Sequence, residues 1–286
     1  MHSESLNLQH LEELVRSGID ITLASLNFRT LSGTDAYEYL LISECIRRTN
    51  TGMVSTGWLR RYTHVKHGGW WCAGLDPQNN WQLMEWGCFK PNNPRQDQGK
   101  SIKYEHPPST PTRVFCLKVP LFVWQQVSER YNVTMPEIKV AADGEAKGFW
   151  QWVTENNIPV IVCEGAKKAA ALLTCGYAAI AIPGITSGYR TLKDDFGNVT
   201  SRQLIPDLAA FTTKKRTFYI CFDYETQPRT IKAVNNALAQ LGCLLQEKNA
   251  SVKVIRLPGT EKGVDDLLVA QGAAAFDTLL ALSLQY

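Results

Sequence analysis

The sequence predicts an α/β protein in which a parallel sheet with flanking helices fills the C-terminal half. In residues 151–286, short and continuously apolar segments alternate with amphipathic ones. Continuous apolar runs are typical of strands covered on both faces, and strands alternating with helices favour a parallel sheet with crossover helices. Residues 1–150 are more irregular and aromatic, which predicts a smaller α+β domain.

Four strands and three helical segments can be placed in the C-terminal half. The predicted strands are 158–163, 177–182, 217–222 and 252–257. The predicted helices are 166–174, 231–247 and a segment that begins at Asp265. The helix 231–247 has apolar residues at helical spacing. The glycine-containing stretch 184–211 is looser, and we predict an insertion or lid there.

The N-terminal half contains most of the tryptophans, and glycine, proline and asparagine interrupt its patterns. This composition predicts short strands and loops around an aromatic core. Two helices are predicted, at 8–17 and 35–49, the second from a helical stripe of apolar residues. Tryptophan pairs such as Trp70-Trp71 suit base stacking, but tryptophans in a small domain belong more often to the core.

The composition is that of an ordinary globular protein, with 44% hydrophobic and 20% charged residues among 286. A net charge of +3 means that nucleic acid could be bound only through local basic patches. The eight cysteines form no CxxC pair, and the His and Cys spacing between residues 64 and 88 matches no trusted zinc motif. The N-terminus lacks signal-peptide features and no apolar run approaches membrane-spanning length, so we expect a cytoplasmic protein without a membrane partner.

Acidic residues follow three of the four predicted strands. Glu164 follows the first strand, Asp223 and Glu225 the third, and Asp265 and Asp266 the fourth. The carboxyl ends of parallel strands meet at one sheet edge, where ligands gather. Grouped carboxylates repel one another unless a cation neutralises them, and Mg²⁺ prefers oxygen ligands. The sequence therefore predicts a Mg²⁺ or Mn²⁺ site for phosphoryl transfer, with all five acids as candidate ligands.

The five acids are expected to differ in role. Asp223 and Glu225 lie two apart, which on an extended strand end points both side chains to the same side. Glu164 is a candidate metal ligand or general acid/base. Asp265 and Asp266 also suit the N-terminal turn of a helix, so we expect one of them to be a ligand and the other a cap.

Lysines accompany the acidic motifs. Lys167 and Lys168 lie at the start of a predicted helix, where lysine opposes the helix dipole and a phosphate ligand would offset the cost. We treat Lys167 as a catalytic candidate and Lys168 as a nucleotide-binding one. The other candidates for nucleotide or nucleic-acid binding are Lys100, Lys103, Arg190 and Lys262. For a basic stretch of this kind, a solvated surface is an equally good interpretation.

Six longer segments of the chain resemble segments of a known protein family. They are GGWWCAGLD, EWGCFKPNNPR and KSIKYEHPP in the N-terminal half, and PVIVCEGAKKAAALLTCGYAAIAIPGI, FDYETQPRTIKAVNNAL and KGVDDLL in the C-terminal half. With the acids in this order, the chain resembles the Toprim domain of bacterial-type primases, topoisomerases and related nucleases. It looks most like the Toprim-like, primase-like domain of cyanobacterial plasmid replication proteins and related phage and plasmid proteins.

The resemblance implies a replication-linked, Mg²⁺- or Mn²⁺-dependent nucleotidyltransferase with DNA primase activity. Glu164, Asp223 and Asp265 or Asp266 would carry the Toprim roles. The implied partners are single-stranded DNA or an RNA–DNA primer-template, nucleoside triphosphates, and a helicase region or partner. The domain of residues 1–150 would bind template or a partner, and residues 151–286 would form the catalytic domain. Glu225 departs from the usual Asp-x-Asp. No Gly-x-x-x-x-Gly-Lys-[Ser/Thr] loop is present. A Toprim-type nuclease and a non-catalytic module that binds single strands or origins are the alternatives.

Overall fold

The protein is described from a computed structural model that covers residues 5–213 and 215–285. The elements of its N-terminal half are α1 (Leu8–Arg16), α2 (Ile21–Asn27), β1 (Phe28–Leu31), α3 (Asp35–Leu40), α4 (Thr56–Arg61), a 3-10 turn (Thr63–His67), β2 (Gly69–Asp76), β3 (Gln82–Pro91), β4 (Gln96–Asp97), β5 (Lys100–Ser101), α5 (Leu121–Tyr131) and α6 (Phe149–Glu155).

The N-terminal sheet is a three-stranded antiparallel sheet in the order β1-β2-β3. Side chains of β2 alternate between two apolar clusters, because successive residues of a strand point to opposite faces. Trp70 and Cys72 belong to the main core, whereas Trp71 and Ala73 belong to a smaller cluster that also contains residues of α3. The tryptophans of β2 are therefore core residues, each about 1% exposed.

The elements of the C-terminal half are β6 (Val160–Glu164), α7 (Ala166–Thr174), β7 (Ala179–Ile182), β8 (Tyr189–Lys193), β9 (Val199–Leu204), α8 (Pro206–Phe211), β10 (Thr217–Cys221), α9 (Pro228–Glu247), β11 (Ser251–Val254), α10 (Val264–Ala281) and β12 (Leu284–Gln285). The sheet has the order β12-β11-β10-β6-β7, and β11, β10, β6 and β7 run parallel. The predicted fold class, a parallel sheet with helices preceded by an α+β aromatic-rich part, is confirmed.

The two halves are joined through an extended segment that follows β5. The backbone amide of Phe115 donates to the carbonyl of Ala181 on the edge strand β7 at 2.8 Å, and the amide of Ala181 donates back at 3.2 Å. The amide of Leu75 on β2 donates to the carbonyl of Cys116 in the same segment at 2.7 Å. One apolar cluster accordingly contains residues of both halves. The proposed domain boundary near residue 150 stays a prediction.

The predicted helix 35–49 is wrong beyond its first turns, because α3 ends at Leu40. Leu41 leaves helical geometry at φ −102° and ψ 43°. Ser43 then makes side-chain hydrogen bonds that compete with a helix: its hydroxyl accepts from the amide of Cys45 and donates to the carbonyl of Ser109. Ile46 still reaches the smaller core, but from a turn. The apolar spacing therefore predicted that Leu40 and Ile46 are buried, but it did not predict that the helix ends at Leu40.

The loose stretch 184–211 folds as a hairpin and a short helix. β8 and β9 pair antiparallel, their side chains are mostly exposed, and α8 follows. Within the described residues, no helix is both long enough and apolar enough to span a membrane.

Candidate active site

The carboxyl edge of the parallel sheet carries a cavity of about 310 Å³. Glu164 is the last residue of β6, and Gly165 turns the chain into α7 with φ +88°. An L side chain rarely adopts this φ, so glycine is required here, and open space lies where its Cβ would be. Asp223 follows β10, and Asp265 lies in the first turn of α10. These three carboxylates line the same cavity.

The neighbouring acids Asp265 and Asp266 have different surroundings. A carboxylate oxygen of Asp266 accepts the backbone N–H of Gly263 at 3.2 Å, which caps α10. Asp265 is 9% exposed, and within the described part of the chain its Oδ1 has no hydrogen-bond partner. Since a buried carboxylate oxygen without a partner is costly, Asp265 is the acid of this pair that is available to a cation.

Lys168 supplies a positive charge inside the carboxylate group. Its Nζ lies 3.1 Å from Oδ1 of Asp223, and both side chains are less than a fifth exposed. Burial acts to lower the pKa of Lys168, but the charges of Asp223 and Asp265 outweigh it, so this pKa is raised. The ammonium is therefore held charged among the carboxylates.

The pKa values of two acids are raised mainly because the acids are buried. Burial raises the pKa of Glu164, and the charge of Asp223 adds to this effect. Burial also raises the pKa of Asp223, although Lys168 opposes it. A carboxylate whose ionised form is disfavoured by its surroundings gains when a further cation arrives. Electrostatically, the cavity favours a cation.

As the side chains stand, no group of three or more His, Cys, Asp or Glu residues in 5–213 and 215–285 is arranged to hold a metal ion. Lys168 provides a physical reason, because its ammonium pairs with Asp223 where a metal would otherwise be held. The cysteines of β2 and β3, Cys72 and Cys88, are buried, and burial raises the pKa of both thiols.

Glu225 does not line the cavity that contains Asp223. β10 ends at Cys221, so the two acids do not lie on a strand, as the expected common direction assumed. Both line an apolar groove beside α9, where Oε1 of Glu225 lies 3.2 Å from Nζ of Lys262. Glu225 thus holds a lysine at the cavity rim. A metal-binding role for it remains a prediction.

The other predicted basic residues divide into two groups. Lys103, Lys167, Lys168 and Lys262 line the cavity. Lys100 lies on the exposed strand β5, and Arg190 lies on the exposed strand β8; neither lines it. Lys167 points its ammonium toward Glu13 of α1, at 3.4 Å from Oε1.

Sequence reasoning did not place several lining residues at this cavity. Tyr104 and His106 form part of its wall, and both belong to the KSIKYEHPP segment. Gly263 also lines it. A Cβ at this position would overlap a carboxylate oxygen of Asp265 and lie 2.7 Å from Cε of Lys168. A residue without a side chain is therefore required for the two charged groups to pack where they do.

Comparisons with known proteins agree with this architecture. Residues 149–275 match a protein family described as a domain of unknown function (DUF3854). An uncharacterized protein of Picosynechococcus sp. is 46% identical over 273 residues; the match covers 93% of the chain and 26% of that protein. The chain thus spans about a quarter of the length of this relative.

Two solved structures have a similar fold. The Aquifex aeolicus primase, comprising zinc-binding and RNA polymerase domains, superposes with a TM-score of 0.53 and 14% identity over 98% of this chain and 57% of the other. A DnaG catalytic core gives a TM-score of 0.51 and 11% identity over 97% of this chain and 73% of the other. At such identities the likeness concerns the fold, and the chain has the fold of a primase catalytic core.

Proposed function

We propose that the chain is the catalytic part of a replication protein, a Toprim-type metal-dependent nucleotidyltransferase with DNA primase activity. One observation carries the proposal: Glu164 at the end of β6, Asp223 after β10 and Asp265 in the first turn of α10 line one cavity, which four lysines also line. Carboxylates suit metal ions and lysines suit phosphates, which is the combination that phosphoryl transfer requires. The primase-core fold supports the same reaction.

The donor chemistry of the cavity suits Mg²⁺ or Mn²⁺, although its side chains would have to rearrange to form a ligand group. Asp265 has an unpaired buried oxygen, and the ionised forms of Glu164 and Asp223 are disfavoured as they stand. Asp223 and Asp265 would hold the ion, with Glu164 beside it, and Asp223 would exchange its contact with Lys168. When bound, the ion would stabilise negative charge on the transferred phosphoryl group.

The chain's own residues would divide the remaining tasks. Lys103, Lys167 and Lys262 line the cavity, so they would bind phosphate oxygens and orient the triphosphate. Glu164, with its raised pKa, is the acid best suited to accept the proton of an attacking hydroxyl. Template would be single-stranded DNA. As part of such a replication protein, the chain would act in the cytoplasm beside a helicase region or partner.

Primer synthesis on single-stranded DNA tests the proposal, with nucleoside triphosphates and Mg²⁺ or Mn²⁺. Asp223→Asn and Glu164→Gln should reduce synthesis by about a hundredfold or more while thermal melting shows the fold retained. Glu247→Gln is the matched control, since Glu247 is an exposed acid at the last turn of α9. Full synthesis by both cavity variants would refute these assignments.

The Lys168–Asp223 ion pair favours a second candidate, a single-strand-binding module without catalysis. In that case Lys168 would replace the metal permanently. Calorimetric titration with Mn²⁺ separates the two functions: binding that Asp223→Asn abolishes supports the enzyme, and absence of Mn²⁺ binding supports the module. Labelled DNA incubated with and without nucleotides would distinguish cleavage by a nuclease from extension.

A further inference from the structure

The carboxylate of Glu13 is surrounded by donors from three different elements. Nζ of Lys90, on β3, lies 2.7 Å from Oε2 of Glu13. Nζ of Lys167, on α7, lies 3.4 Å from Oε1, and the indole N–H of Trp70, on β2, donates to the same oxygen at 3.4 Å. We call Lys90, Lys167 and Trp70 the Glu13 cradle.

The cradle has the chemistry of an oxyanion site. Two ammonium groups and one N–H converge on a single small anion, and together they carry one more charge than that anion neutralises. Burial opposes ionisation of Glu13, but the hydrogen bonds and charges of Lys90 and Lys167 outweigh it, and the pKa of Glu13 is lowered. Two positive charges around one oxyanion are also the arrangement that binds phosphate.

The cradle is continuous with the cavity at the sheet edge. Lys103 lines both that cavity and the groove that contains Glu13, Trp70 and Lys90. Lys167 lines the cavity and reaches the cradle with its ammonium. Lys103 and Lys167 therefore connect the cavity to the cradle, so a ligand with several phosphates could contact both.

Glu13 can leave the cradle without unfolding its helix. The backbone of α1 is anchored elsewhere: His10 is 2% exposed, and its ring bonds Oγ1 of Thr30 and Oδ1 of Asn92, each at 2.8 Å. Leu14 is fully buried. The Glu13 side chain itself is 30% exposed, so rotation about its own bonds can move its carboxylate into solvent.

We propose that the Glu13 cradle is a phosphate-binding site and that the Glu13 carboxylate occupies it in place of a phosphate group until ligand binds. The ligand is a phosphorylated compound, either a nucleoside triphosphate or the backbone of a nucleic acid. Glu13 then acts as an internal competitor that lowers the affinity for this ligand. The proposal rests on the proposed function only for the origin of the ligand.

Glu13→Gln tests the proposal because it removes the charge and keeps the shape. Glu12→Gln is the matched control: it makes the same change one residue away, on an exposed side chain that pairs with Arg16. Binding of ATP and of a labelled oligo-dT is measured without divalent metal. Glu13→Gln should tighten binding of at least one of them about fivefold, and Glu12→Gln should change it by less than about twofold.

The two probes distinguish the sources of the phosphate. Tighter ATP binding alone assigns the cradle to a nucleotide, and tighter oligo-dT binding alone assigns it to a nucleic-acid backbone. Lys90→Met added to Glu13→Gln should remove the gain. Unchanged or weaker binding of both probes by Glu13→Gln, with an unchanged melting temperature, would overturn the proposal and leave Glu13 as a residue that positions the lysines. The outcome is independent of primer synthesis, since no metal is present.

Discussion

Replacing Lys168 by methionine tests whether its ammonium and a divalent cation compete for the same carboxylates. Lys168 lies 3.1 Å from Asp223, and the charge of Asp265 also raises its pKa. A cation held by Asp223 and Asp265 would therefore lie close to a fixed positive charge. Methionine preserves the apolar stem of lysine and removes that charge. Mn²⁺ should then bind more tightly.

The size of the effect follows from the separation of the charges. Two unit charges about 4 Å apart near a protein surface interact by roughly 4 kcal/mol, and a divalent ion doubles this value. If solvent screening removes about three-quarters, roughly 2 kcal/mol of repulsion remains, so the affinity for Mn²⁺ should rise at least about tenfold. Without metal, loss of one partner of a largely buried pair should destabilise the fold by up to about 3 kcal/mol.

Calorimetric titration with Mn²⁺ and thermal melting with and without Mn²⁺ measure both effects. Lys168→Met should melt below the wild type without metal and recover more of its stability than the wild type when Mn²⁺ is added. Lys248→Met, an exposed charge removed just beyond α9, controls for net charge. Equal or weaker Mn²⁺ binding by Lys168→Met would refute the competition and would indicate that the lysine helps to hold the site together.

Two further predictions concern the cavity wall. Gly263→Ala should destabilise the fold by about 1–3 kcal/mol in thermal melting and weaken Mn²⁺ binding, because its Cβ would displace the Asp265 carboxylate and the Lys168 stem. Gly57→Ala is the control and should have little effect, because nothing lies within 4 Å of the added Cβ. If Gly263→Ala melted at the wild-type temperature, the packing argument would be wrong. Burial lowers the pKa of His106 to about 4 although its ring bonds the carbonyl of Gly87, so its neutral form contributes up to about 3 kcal/mol above pH 6.5 that is lost as the pH falls towards 4. Between pH 6.5 and pH 4, the free energy of unfolding measured with denaturant should therefore fall less for His106→Gln than for the wild type. If it fell equally for both proteins, His106 would not be the group responsible.

The sequence predicts most of the C-terminal framework because its signals are local. Helix α7 was predicted with the bounds that the structure has, Ala166–Thr174, and Glu164 and Asp223 lie at the carboxyl ends of their strands. Chain direction in a parallel sheet is enough to bring such residues together. The helix predicted at 35–49 is too long, because apolar spacing indicates which residues are buried, and residues of an irregular segment can be buried as well.

The pairing of charges within the site could not be predicted in the same way. Lysine has a long, flexible stem, so its ammonium can reach several positions from one place on a helix. The adjacent Lys167 and Lys168 contact Glu13 and Asp223 respectively, partners that lie 154 and 55 positions away in the sequence. Only the folded chain, which brings Glu13 of α1 near one lysine and Asp223 near the other, decides between them.

Three of the lysines that line the cavity share one property: each forms an ion pair with an acid. Lys167, Lys168 and Lys262 each contact one acid, respectively Glu13, Asp223 and Glu225. Of these pairs, Lys168–Asp223 joins a proposed metal ligand to a lysine of the cavity. A divalent cation on Asp223 would release Lys168, which could then contact a phosphate, so cation and phosphate should bind with positive coupling. The ion pairs hold the side chains in place before either ligand is present.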